Sequence, residues 1–293
     1  MKIIKVLLAV LITAVLLVSC AGRFDSWHLN VMRADRLWRY STGAGEVIAF
    51  IDTGISCEYA EHLGERIVAR KNVIDDSDDV QDRHGHGTEM VSLAAGDGFM
   101  GVYGIAPDAD IIIIKATSDE GVTNNRYLLR ALQFARENGA TIINISLGGH
   151  RVDPFVVNEI QEIIAEGITV VAAAGDFGQR DLLFPANQPG VVSVEARTEE
   201  NARWELSNTG ESTVLRFPGV NLMVLGLFEG ELVVENYANG TSQAAAIASG
   251  YIALLRANLE ERGESFDNEK ILYLLGSLNS LSDRRVNFVR VFR

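Results

Sequence analysis

Six stretches of this chain are rich in Ile, Val and Ala without regular polar alternation. They are EVIAFID (46–52), RIVARKNV (66–73), DADIIIIKAT (108–117), ATIINIS (140–146), GITVVAAAG (167–175) and GVVSVEA (190–196). Such runs fit strands covered on both faces, hence a parallel sheet. Between them, TNNRYLLRALQFARENGA (123–140) and VDPFVVNEIQEIIAEG (152–167) carry apolar residues at three- and four-residue spacing. Each ends near a glycine, the pattern of an amphipathic helix with a stop signal. Strands alternating with helices predict an α/β domain, a doubly wound, mostly parallel sheet flanked by helices. No repeat, low-complexity tract or linker interrupts the pattern, so residues 20–293 read as one domain.

The start of the chain follows another rule. MKIIKVLLAVLITAVLLVSC opens with lysines, continues as an apolar run and ends in LVSC. This is the layout of an export signal over residues 1–19. Its ending resembles the lipobox of bacterial lipoproteins, which implies a lipid on Cys20 and a membrane tether outside the cytoplasm. The other reading is an uncleaved anchor, for which about 15 apolar residues are marginal. Removing residues 1–19 takes away Lys2 and Lys5 and no acid, leaving 24 basic and 39 acidic residues, a net charge of −15. That balance argues against a nucleic-acid partner and would favour basic peptides. With Cys20 lipidated, Cys57 has no disulfide partner and reads as a small buried hydrophobe. The acidic run DDSDD (75–79) reads as a solvated loop, with a calcium site as the alternative.

Three polar sites fall at element boundaries. Asp52 ends the first strand in AFIDTGI, where a carboxylate after an apolar run is costly unless it has a partner. In an open α/β sheet functional groups gather at that carboxyl edge. His86, in DRHGHGTEMVSLAAG (82–96), sits at the start of a helix of small residues. Ser242, in NGTSQAAAIASG (239–250), does the same. Alone, Ser242 reads as a helix cap or as a nucleophile at the positive end of a helix. His84 and His86 form an H-x-H pair, but no third ligand lies nearby and no metal is assigned.

The segments AFIDTGI, HGHGTEMVSLAAG and NGTSQAAAIASG resemble the three signature blocks of the subtilisin-like serine proteases, in that family's order. GVYGIAPDADIIIIKA (101–116), GATIINISLGG (139–149), VVAAAGDFG (170–178) and FPG (217–219) resemble its connecting blocks. WHLNVMRADRLWRYSTGAG (27–45) resembles its lead-in. The resemblance implies a serine endopeptidase in which Ser242 attacks a carbonyl, His86 carries the proton and Asp52 orients the imidazole. It implies that Ser146, Leu147 and Gly148 offer an edge to an extended peptide, with the Gly101–Gly104 region as the opposing edge. It implies no cofactor, and the chain is expected to be a monomer.

The chain departs from that pattern at Asp176. The family usually has an asparagine there, whose N–H donates to the oxyanion; an ionised aspartate cannot donate. The Ser242 backbone N–H would remain as half of the hole, and a protonated Asp176 would restore the other half. A branch of prohormone convertases resembling this family also carries aspartate there. Gln243 and Ala246 replace the usual methionine and proline, and the short lead-in leaves no room for a folding propeptide. The leading reading is a tethered endopeptidase, of the kind that processes peptides. The alternative is a subtilase-like lipoprotein that binds peptides with little catalysis.

Overall fold

The computed structural model describes residues 26–210, 214–279 and 286–293; the signal segment and Cys20 lie outside the described residues. Two short helices, α1 (Trp27–Met32) and α2 (Ala34–Leu37), lead into β1 (Val47–Asp52) and α3 (Cys57–Leu63). Then come β2 (Ile67–Asn72), α4 (His86–Ala95), β3 (Asp110–Lys115), α5 (Asn125–Glu137), β4 (Ile142–Ile145) and α6 (Pro154–Ala165). The chain continues through β5 (Thr169–Ala173), β6 (Val192–Arg197), β7 (Val214–Pro218), β8 (Leu222–Phe228), β9 (Glu231–Ala238), α7 (Thr241–Glu261) and α8 (Asn268–Asn279).

β1 to β7 form one parallel sheet in the order β2-β3-β1-β4-β5-β6-β7. The order runs outward from β1 in both directions, so the end of β1 lies at the topological switch, where open α/β sheets place their sites. Successive residues of β1 supply opposite cores: Ile48 and Phe50 pack with α4 and α7, Ala49 and Ile51 with α5 and α6. Both faces are therefore apolar, which removes the polar alternation of a half-exposed strand. β2 is the exception. As an edge strand it alternates between exposed and half-buried positions, with Val68 on the outside.

α7 is buried on almost every side, and its small residues allow that. A Cβ at Gly250 would come within 2.6 Å of the Ala94 carbonyl oxygen, so α7 and α4 touch main chain to side-chain-free main chain. A buried pair, Arg256 Nε to Glu46 Oε2 at 2.8 Å, ties α7 to the start of β1. The last residues close the same face, with the Phe288 and Phe292 rings 5.5 and 5.6 Å from that of Tyr251.

β7 and the antiparallel hairpin β8–β9 extend the predicted set of strands. The hairpin turns at Glu229 and Gly230, both with positive φ, the two-residue loop that matches the twist of paired strands.

Candidate active site

The site is built at the carboxyl end of β1. Asp52 is the last residue of that strand and is buried; its Oδ1 accepts from Thr53 N–H at 2.8 Å and lies 2.7 Å from His86 Nδ1. His86 reaches it because the start of α4 rests directly on the turn after β1. A Cβ on Gly87 would sit 2.2 Å from the Gly54 carbonyl oxygen, so only glycine allows the approach. The Gly87 N–H then donates to Thr53 Oγ1 at 2.8 Å.

Asp82 holds this turn together, and sequence reasoning passed over it. It is fully buried, and its oxygens accept from the N–H groups of His84 (2.9 Å), Gly85 (2.8 Å) and Thr88 (3.0 Å) and from the Thr88 hydroxyl (2.8 Å). Burial disfavours its charge, but these donors outweigh burial and hold the carboxyl below its ordinary range. The spacing D-x-H-G-H-G-T was the available signal, since an aspartate just before a helix start bonds the N–H groups that follow it.

Ser242 lies in the first turn of α7, and Gly240 occupies the cap position, so Ser242 is not the cap. Its hydroxyl donates to the Ser146 carbonyl at 3.1 Å, while the Ser146 hydroxyl donates to the Ser242 carbonyl at 3.1 Å. A buried chain continues from Asn144 Nδ2 to Ser146 Oγ (2.9 Å) and from Ser249 Oγ to Asn144 Oδ1 (3.0 Å). These bonds fix the end of β4 to the helix that carries Ser242. The Ser242 hydroxyl thus points to Ser146 and not to the His86 ring. The two helices meet beside it instead, where Gln243 Nε2 donates to Glu89 Oε2 at 2.9 Å.

Asp176 follows β5 and faces the start of α7. Its Oδ1 accepts the Thr241 N–H at 2.9 Å and the Thr241 hydroxyl at 2.7 Å. That hydroxyl also accepts the Gly175 N–H at 3.0 Å, so its single proton goes to Asp176. The carboxylate therefore satisfies an orphan donor of α7 at the positive end of the helix.

Burial opposes a charge on His86, but the Asp52 carboxylate and its hydrogen bond outweigh burial, with Glu89 and Asp82 adding to them. The imidazole is raised to about 9. Burial raises Glu89 to about 7, against the pull of His86 and the bond from Gln243.

The substrate-edge residues fall in two places. Gly149 exchanges both main-chain hydrogen bonds with Phe184 at 2.9 Å, leaving the main chain of Leu147 and Gly148 unpaired among the described residues. Gly101 and Gly104 do not oppose them. They belong to the connection from the end of α4 to the start of β3, at the amino edge of the sheet, while Ser146 lies at the carboxyl edge. Gly104 is buried there with its N–H bonded to the Gly96 carbonyl at 2.8 Å. What faces Leu147 and Gly148 is the segment 123–126, across a cavity of about 680 Å³.

Cys57 is exposed at the first position of α3, not buried, because a helix start on the surface carries it. In the acidic run, Asp76 pairs with Lys71 at 3.0 Å and with Arg130 at 2.9 Å. Among the described residues no group of three or more His, Cys, Asp or Glu converges. The His84 and His86 rings stand edge-on with centroids 6.3 Å apart.

Comparison with known proteins gives this geometry a context. The model of the subtilase family matches residues 43–276. The major intracellular serine protease of Bacillus subtilis (strain 168) is 30% identical over 247 residues, covering 80% of this chain and 75% of that protein. Subtilisin Savinase of Lederbergia lenta is 29% identical over 231 residues, covering 78% of this chain and 81% of that protein. The crystal structure of a cold adapted subtilisin-like serine proteinase superposes with a TM-score of 0.71 at 25% identity, over 83% of this chain and 86% of the other.

Proposed function

This chain belongs to the subtilase family of serine endopeptidases, and from that premise we propose that Asp52, His86 and Ser242 are its catalytic residues. The observation that carries the reading is the Asp52–His86 pair beside the start of the helix that bears Ser242. Asp52 holds the His86 ring by Nδ1 at 2.7 Å, and the Glu89–Gln243 bond joins the turn after His86 to the residue after Ser242. In the reaction the Ser242 hydroxyl rotates from the Ser146 carbonyl to the free nitrogen of His86. It gives up its proton there and attacks the scissile carbonyl; the imidazolium then protonates the leaving amine. Asp52 fixes the tautomer and offsets the positive charge.

The developing oxyanion is met by the Ser242 N–H at the positive end of α7. As a carboxylate Asp176 has no hydrogen to donate, and its Oδ1 is engaged as acceptor from Thr241. Asp176→Asn is expected to raise kcat; in subtilisin one such donor is worth about 10²–10³. Leu147 and Gly148 offer their main chain to a substrate in extended form. A lipid on Cys20 would hold the enzyme at a membrane outside the cytoplasm, which suits the processing of exported peptides.

The test is labelling by a fluorophosphonate probe across pH, with Ser242→Ala as the control. Labelling that disappears in Ser242→Ala supports the assignment. A folded wild-type protein that takes no label at any pH favours a peptide-binding lipoprotein and overturns it. Incorporation of an alkyne fatty acid, absent in Cys20→Ala, tests the tether.

A further inference from the structure

The chain is strongly acidic as a whole, but the cavity beside Leu147 and Gly148 is not. Its floor is apolar: Leu128 and Phe184 are buried, and Leu147 is half-buried. Its rim carries Arg126 from the first turn of α5 and His150 and Arg151 from the loop before α6, all exposed. Neither arginine forms an ion pair among the described residues, although many other basic side chains do. The single acid in the lining, Asp153, accepts the Phe155 N–H at 2.9 Å as the cap of α6. Two unpaired cations over an apolar floor make a local field opposite to that of the whole molecule.

We infer that this cavity is a specificity pocket for an acidic side chain of the substrate, glutamate or aspartate, with Arg126 and Arg151 as the residues that select it. The inference rests on the peptidase reading, because Leu147 follows Ser146, whose carbonyl holds the Ser242 hydroxyl. A peptide laid along Leu147 and Gly148 would send one side chain, some residues from the scissile bond, into the cavity. Its methylene groups would cover the floor and its carboxylate would reach the rim. The arginine side chains are long and exposed, so the contribution is modest and sensitive to salt. The overall acidity points to basic substrates; the pocket points the other way at one position.

The experiment uses internally quenched peptides that differ only in one Glu, Gln or Lys, walked through every position. At one position kcat/KM is expected to be about tenfold higher for Glu than for Lys, with Gln between them. The ratio should shrink in 0.5 M salt. It should vanish in Arg126→Gln/Arg151→Gln and reverse in Arg126→Glu/Arg151→Glu. Binding of the same peptides to Ser242→Ala, read by fluorescence anisotropy, should show the same ordering. Turnover without charge preference at any position overturns the inference and leaves the peptidase reading standing. No turnover, with Glu still bound more tightly than Lys, overturns the peptidase reading and upholds the pocket. A preference unchanged in both double variants also overturns the assignment to these arginines.

Discussion

Removing the Asp82 carboxylate asks whether His86 is positioned by its own helix or by the turn before it. Asp82 is fully buried and accepts four hydrogen bonds, three from backbone N–H groups and one from the Thr88 hydroxyl. A bond to a charged acceptor contributes about 1.5–3 kcal/mol. Asp82→Ala strands all four donors, and water entering the space offsets roughly half of the loss, leaving about 4 kcal/mol. Asp82→Asn keeps one acceptor oxygen but turns an amide N–H toward the Thr88 donors, for about 2 kcal/mol. Urea unfolding at constant m reads both values. The pH dependence has a definite sign. A depressed carboxyl stabilises the fold above its unfolded value of about 3.9, and that contribution is lost as pH falls through the folded value. The gap between wild type and Asp82→Ala should therefore narrow below about pH 4. In the folded variant at low temperature, Ser242 labelling should slow at least about tenfold, because the His86 ring loses its support. A penalty under about 1 kcal/mol, or a gap of unchanged size at pH 3, would refute the reasoning.

Three further outcomes are expected. Because His86 is raised to about 9, its neutral form, the base, accumulates only toward that pH, so Ser242 labelling should climb steeply from pH 7 to 9. Glu89→Gln should move the midpoint down, and an activity maximum in the acidic range would refute this account of His86. His28 is fully buried with neither ring nitrogen hydrogen-bonded among the described residues, and burial lowers it to about 3. The unfolded chain takes up its proton below about 6.5, so stability should fall from there toward pH 3, and His28→Leu should flatten that slope in thermal melts. Arg256→Met leaves Glu46 buried without its cation and should cost about 3–5 kcal/mol by urea unfolding; Glu46→Gln/Arg256→Met together should cost less than Arg256→Met alone.

The parallel sheet was legible because both faces of the central strands are covered. Ile111 to Ile114 feed two different cores, and that leaves an unbroken isoleucine run in the sequence. β2 was found despite being an edge strand, but its half-exposed side chains were not, since edge position is a property of strand order. Asp52, His86 and Ser242 stood out because each ends or begins an element beside glycine or threonine. The supporting residues did not. Asn144 lies within a strand run and Ser249 within a helix of small residues, and each has meaning only across the β4–α7 contact that joins them. The Gly101–Gly104 expectation failed for a related reason. A resemblance places residues along the chain, while the edge of the sheet they occupy depends on the direction of α4. The pocket charge was hidden as well, because Arg126 and Arg151 are separated in sequence by β4 and most of α5.

The contact at Gly250 has a consequence for how such an enzyme changes over time. Gly250 lies eight positions after Ser242, roughly 12 Å along the helix. There its missing side chain lets the helix settle on the Ala94 carbonyl, near the far end of the helix that begins with His86. On the proposed assignment, the separation of His86 and Ser242 is thus gauged at a seam between helix bodies, away from the two residues themselves. A methyl group added at Gly250 would act as a shim, tilting the Ser242 helix against the His86 helix and so shifting their separation while changing no side chain at the site itself. Libraries confined to the rim would vary what the enzyme accepts. Variants along this seam would vary how well it is tuned, and the two kinds of inheritance could be selected apart.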